Sequence, residues 1–133
     1  MPIRTILGGA ALALIITAAS AEEDIDSANS IMPGCRALLG PKALDDPFRQ
    51  GVCEGIISEI AFVGRAILIR PDPEKSRFGG ILRQILCLDI PAGVTGGQRA
   101  RVVVSYIDAR PARMHEDFRS LALEALRSAW PCK

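Results

Sequence analysis

Four cysteines and one histidine are the side chains in this chain best suited to redox, metal or nucleophilic work. The cysteines are Cys35, Cys53, Cys87 and Cys132, and no two are spaced C-x-x-C. Thioredoxin-type redox sites and zinc ribbons use that spacing, so neither is suggested. His115 is the only histidine. It leaves a Cys/His metal site poorly supplied. It is also the one base available to a nucleophilic triad, yet Glu116 and Asp117 follow it on what reads as a polar helix face. No G-x-S-x-G and no H-E-x-x-H is present. Asp45 and Asp46 read as a turn and a helix N-cap rather than as a catalytic pair. Gly79-Gly80 and Gly96-Gly97 have no strand before them and no Lys-Ser/Thr after them, so they do not read as phosphate loops. The expectation is no catalytic residue, no metal and no cofactor.

The cysteines then read as two disulfides, which a small exported chain keeps in an oxidising compartment. Export is written at the N-terminus. Arg4 is followed by an uncharged apolar run over residues 6–18, then by the A-x-A site Ala19-Ser20-Ala21 and the acidic Glu22-Glu23-Asp24. This is the layout of a cleavable signal peptide over residues 1–21. The run is shorter than the roughly 20 residues a membrane span needs. Cleavage after Ala21 leaves 112 of the 133 residues, one small domain over residues 22–133. Three pairings of four cysteines are possible. Pairing in order, Cys35 with Cys53 and Cys87 with Cys132, closes two local loops and is favoured. In the chain-entropy model such loops stabilise by roughly 3 and 4 kcal/mol.

Charge narrows the partners. Without Arg4 the chain carries 15 basic and 15 acidic side chains. Nucleic acid and anionic membrane both call for a basic surplus, so neither is expected as a partner.

The elements that position the cysteines are helices. Residues 27–39 form the first, around Cys35, with Pro33 and Gly34 threatening to split it. Asp46-Pro47 starts the second, with Asp as N-cap and Pro at the first helical position. Phe48, Val52, Ile56, Ile60, Val63 and Ile67 make one stripe along it. Gly51 and Gly55 lie one turn apart, and each costs about 1 kcal/mol inside a helix. The pair predicts another backbone passing close by. Residues 70–80 hold two prolines, five charges and Gly79-Gly80, and read as a long loop. Residues 81–90 are apolar and lead through Cys87 as a short helix or an extended segment. Thr95-x-x-Gln98 is a capping box, and it opens a helix that presents Val102, Val103, Tyr106 and Ile107. Pro111 stops it. Phe118, Leu121, Ala122, Ala125, Leu126 and Ala129 recur at helical spacing in the last helix, and Trp130-Pro131-Cys132 ends it. The predicted fold is all-α, a disulfide-stapled bundle of four to five helices.

Several ordered pieces carry a resemblance. F-x-x-G-x-C-x-G runs from Phe48 through Gly51 and Cys53 to Gly55. P-x-x-V-T-x-x-Q runs from Pro91 through Val94 and Thr95 to Gln98. Val103, Val104 and Tyr106 follow in a slightly compressed V-V-x-x-Y. R-P-x-R-x-H at Arg110 to His115 precedes the closing A-L-x-x-A-W-P-C at Ala125 to Cys132. Together they resemble the Rap/Tai immunity protein family over nearly the whole mature chain. The resemblance implies a small periplasmic helical protein with no enzymatic activity. It implies a homodimer, and as partner a type VI secretion effector, an amidase that cuts peptidoglycan peptide cross-links. It implies inhibition by a protruding loop laid into the enzyme's cleft.

Within that loop residues 71–78 are the candidate binding element, with Asp72, Glu74, Arg77 and Phe78 as its anchors by charge and aromatic content. A second reading is an acid-activated periplasmic chaperone, or a structural protein with no cognate toxin. One histidine and a balanced charge offer no switch near pH 5 to 6 for that chaperone.

Overall fold

The computed structural model describes residues 24–41, 46–69 and 77–132. Among them are five α-helices: α1 (Ala28–Leu39), α2 (Pro47–Ile69), α3 (Arg77–Leu86), α4 (Gly96–Asp108) and α5 (Phe118–Ala129). A single 3-10 turn, Pro111–Arg113, joins the last two. The fold is a small all-α bundle stapled by the disulfides Cys35–Cys53 and Cys87–Cys132. Signal residues 1–21, Asp45, Asp72 and Glu74 lie outside the described residues.

Local chemistry sets the helix ends. The Asp46 carboxylate accepts from the Arg49 N–H at 3.1 Å and caps α2. Thr95 and Gln98 form the reciprocal capping box: Oγ1 of Thr95 accepts from the Gln98 N–H, and Oε1 of Gln98 accepts from the Thr95 N–H. Asp117 caps α5 by accepting from the Ser120 N–H at 2.8 Å. Ser27 heads α1 without a side-chain cap. Its helix instead borrows acceptors from the turn that precedes α5. The Ala28 N–H donates to the Glu116 carbonyl, and the Phe118 N–H donates back to the Asp26 carbonyl.

One core holds the helices together. Ala28, Met32 and Cys35 of α1 meet Cys53 and Ile57 of α2, Val103 and Ile107 of α4, and Phe118, Leu121 and Leu126 of α5. Burying a side chain of the size of Leu or Phe contributes about 1.5–3 kcal/mol. The extended stretch from Cys87 to Ile90 is pinned at one end by Cys132 and by the Asp89 N–H donating to the Trp130 carbonyl. Leu88 within it is fully buried.

Four expectations need correction. First, α1 is one continuous helix. Pro33 is exposed, and Gly34 is buried against α2, where a Cβ would run into the Arg49 carbonyl. Second, residues 77–80 are helical rather than loop. The apolar period running back from Leu86 and Ile85 through Leu82 and Ile81 reaches Phe78, and it outweighs the two glycines. Third, the apolar stripe of α2 is not its buried face. Of that stripe Ile56 is buried and Ile60 partly so, but Phe48 is 79% exposed and Val52 and Val63 each 37%. The buried face runs through Gln50, Cys53, Ile57, Ala61 and Gly64. Fourth, among the described residues no backbone passes Gly51 or Gly55. Nothing stands within 4 Å of a Cβ at either. The close approach is at Gly64, where a Cβ would lie 2.8 Å from the Leu88 side chain.

Candidate partner-binding surface

Asp72 and Glu74 fall outside the described residues. Arg77 and Phe78 form the first turn of α3, directly after residues 70–76. The segment singled out as a loop therefore ends in a helix start, and α3 packs on the bundle's longest helix, α2.

The larger surface is one that sequence periodicity did not single out. A helix advances about 100° per residue. On α2 this sets Phe48, Val52, Gly55, Glu59, Phe62 and Ala66 on one side, opposite Cys53, Ile57 and Gly64. The structure confirms the division by burial. Phe62 is 74% exposed and Phe48 79%, while Cys53 and Ile57 are buried. Two exposed phenyl rings on one helix are unusual for a surface, where large apolar groups occur singly. The outer face is also low. Gly51 and Gly55 leave bare backbone between the two rings.

Clefts flank this face. One of about 380 Å³ lies beside the start of α2 and is walled by Ile25, Pro33, Phe48 and Val52. Another of about 370 Å³ lies between α2 and α4, walled by Ser58, Phe62, Arg65 and Arg99. Among the described residues neither Arg65 nor Arg99 has an ion-pair partner. Arg99 donates to the Val94 carbonyl at 3.3 Å, and its Nε is buried without a partner among the described residues. A third cleft of about 260 Å³ is walled by Glu59, Ile60, Val63, Leu86 and Leu123.

The other charged cluster is a clasp within the fold. Arg113 grips Glu116 through two parallel hydrogen bonds of 2.7 and 2.6 Å and reaches Glu124 at 2.6 Å. These bonds hold both carboxyls below the usual glutamate range, and they raise the guanidinium further above its ordinary value. The Tyr106 hydroxyl donates to Glu124, and Arg110 lies over the Tyr106 ring at 3.7 Å. This joins the C-terminal end of α4 to α5. His115 is exposed beside it. Among the described residues no group of three His, Cys, Asp or Glu side chains is placed to hold a metal ion. What the surface offers is apolar contact, bare backbone and two guanidiniums, which suits binding to a protein.

Comparison with known proteins agrees with that character. The family model described as Rap1a immunity proteins matches residues 27–132. No curated protein and no solved structure matches the chain.

Proposed function

The chain belongs to the Rap1a immunity protein family, and from that membership we propose that it is an exported, non-enzymatic inhibitor of a type VI secretion peptidoglycan amidase. The family match over residues 27–132 carries the reading. An immunity protein acts by binding its cognate effector. Here the inhibition is steric: the immunity protein covers the active-site cleft and performs no reaction. The chain works as a homodimer, as the resemblance implies.

Export belongs to the same proposal. Residues 1–21 are a signal removed after Ala21, and the mature protein is periplasmic. Two disulfides suit that oxidising compartment. Among the described residues no helix is long and apolar enough to cross a membrane. Intact mass of the exported protein should correspond to a chain beginning at Glu22.

The test of immunity is a deletion in the producing organism. Loss of the gene should make the cell sensitive to siblings with active type VI secretion, and its sacculi should show cut peptide cross-links. The mature sequence, supplied with a signal, should restore growth. Sacculi that stay intact in the deletion strain would remove the amidase from the account.

Residues 71–78 are proposed as the inhibitory element. Alanine at Glu74, Arg77 and Phe78 together should weaken the complex with the effector while leaving the melting temperature unchanged. Unchanged affinity would clear that segment of the role.

A further inference from the structure

The geometry points to the outer face of α2 as the surface on which a second copy of this chain docks, the two α2 helices running antiparallel about a two-fold axis at Gly55. This deepens the homodimer of the reading above by naming its surface. The α2 face alone carries it, and no effector is needed.

The face is apolar where a monomer would place charge. Phe48 and Phe62 are 79% and 74% exposed, and Val52 and Val63 stand beside them at 37% each. Glu59 is the one charged side chain among Phe48, Val52, Gly55, Glu59, Phe62 and Ala66. At the centre the helix carries no side chain at all. A glycine inside a helix costs about 1 kcal/mol relative to alanine. For Gly51 and Gly55 nothing among the described residues explains it, since a Cβ at either would meet nothing there within 4 Å. Gly34 and Gly64, by contrast, are needed, because a Cβ there would collide with Arg49 and Leu88. Two bare positions one turn apart allow another helix to come close.

The pattern is also self-complementary, which is what a two-fold interface requires. Phe48 and Phe62 each lie seven residues from Gly55, one on either side. That is about two turns, or roughly 10 Å along the axis. An antiparallel pair centred on Gly55 therefore sets Phe48 of one copy against Phe62 of the other, twice. Aromatic pairs of this kind add to the area they bury. The charges select the same direction. Antiparallel packing brings Glu59 of one copy near Arg49 of the other, six residues before Gly55 against four after it. Arg49 is well exposed, and its one ion pair among the described residues is with Asp46 at 3.3 Å. A parallel pair in register would instead set Glu59 against Glu59.

The experiment is sedimentation equilibrium of the mature, oxidised protein, with circular dichroism of each variant. The unaltered chain should be a dimer at micromolar concentration. Gly55→Glu should give a folded monomer with an unchanged spectrum, because the new side chain meets nothing in its own chain. Glu59→Arg should weaken the dimer by about tenfold, the factor that 1.4 kcal/mol represents. Adding Arg49→Glu to that variant should restore it. A second readout mixes Phe48→Cys with Phe62→Cys chains: the mixture should form a crosslinked heterodimer faster than either chain crosslinks to itself. A monomeric unaltered chain overturns the proposal, as does a dimer indifferent to Gly55→Glu. Either result leaves the deletion test of immunity standing on its own.

Discussion

Gly64 of α2 faces Leu88 so closely that a Cβ on the glycine would stand 2.8 Å from the Leu88 Cβ and Cδ1. Leu88 has no exposed surface and belongs to the one core of the bundle. Its segment cannot retreat freely, because the adjacent Cys87 is tied to Cys132. Gly64→Ala should therefore destabilise the fold, by about 1–3 kcal/mol as overpacked cores do. Gly80→Ala is the control. Gly80 is exposed in α3 with open space around it, so the helix preference of alanine should stabilise by roughly 0.5–1 kcal/mol. Urea denaturation of the two variants should move the midpoint in opposite directions. A Gly64→Ala protein as stable as its parent would mean that the Leu88 segment yields.

These glycines mark the limit of what the sequence shows. Capping signals are local, so the starts of α2 and α4 were legible in Asp46-Pro47 and Thr95-x-x-Gln98. The apolar period of α5 was equally plain, and the two-helix unit closed by Cys87 and Cys132 followed from it. The buried side of α2 was not. Apolar residues surround almost the whole helix, and a period read from Phe48 fits as well as one read from Cys53. Burial depends on where α1, α4 and α5 lie, and the close backbone approach that the spacing of Gly51 and Gly55 suggests occurs instead at Gly34, with Gly64 facing the Leu88 side chain. The isolated β-bridge between Ser27 and Asp117 could not be seen either. It joins backbone groups far apart in the chain, and such pairs leave no local pattern. For the binding surface, the composition of residues 70–80 drew attention to a segment, while the outer face of α2 needed coordinates.

The two disulfides should open in a fixed order under mild reductant. Cys35 and Cys53 have no exposed surface. Cys132 is partly exposed near the C-terminus, although its partner Cys87 is buried. Exchange requires a thiolate to reach a sulfur, so Cys87–Cys132 should be reduced first. Its loss should also matter more in the chain-entropy model, because it spans 45 residues against 18. The expected costs are roughly 4 and 3 kcal/mol. Alkylation followed by peptide mass mapping at early times reads the order. Early label on Cys35 would show that α1 and α2 part more readily than their packing implies.

Acid should weaken the fold through the Arg113 clasp. Hydrogen bonds from Arg113 lower the native-state values of both Glu116 and Glu124 from the ordinary 4.5. A carboxyl that is more acidic in the folded chain than in the unfolded one stabilises the fold at every pH above its unfolded value. That contribution fades as pH falls below 4.5 and is gone beneath the lowered native value. The groups are about a third to almost half exposed, so solvent screens the effect and it will be modest. Glu124→Gln isolates it, since the amide keeps an acceptor for the Tyr106 hydroxyl but loses the charge that faces Arg113. At neutral pH the variant should melt below its parent. Well under pH 4.5, where Glu124 of the parent is itself protonated, the two curves should converge. A gap in melting temperature that persisted unchanged into strong acid would assign the loss to packing at the α4–α5 junction rather than to the ion pair.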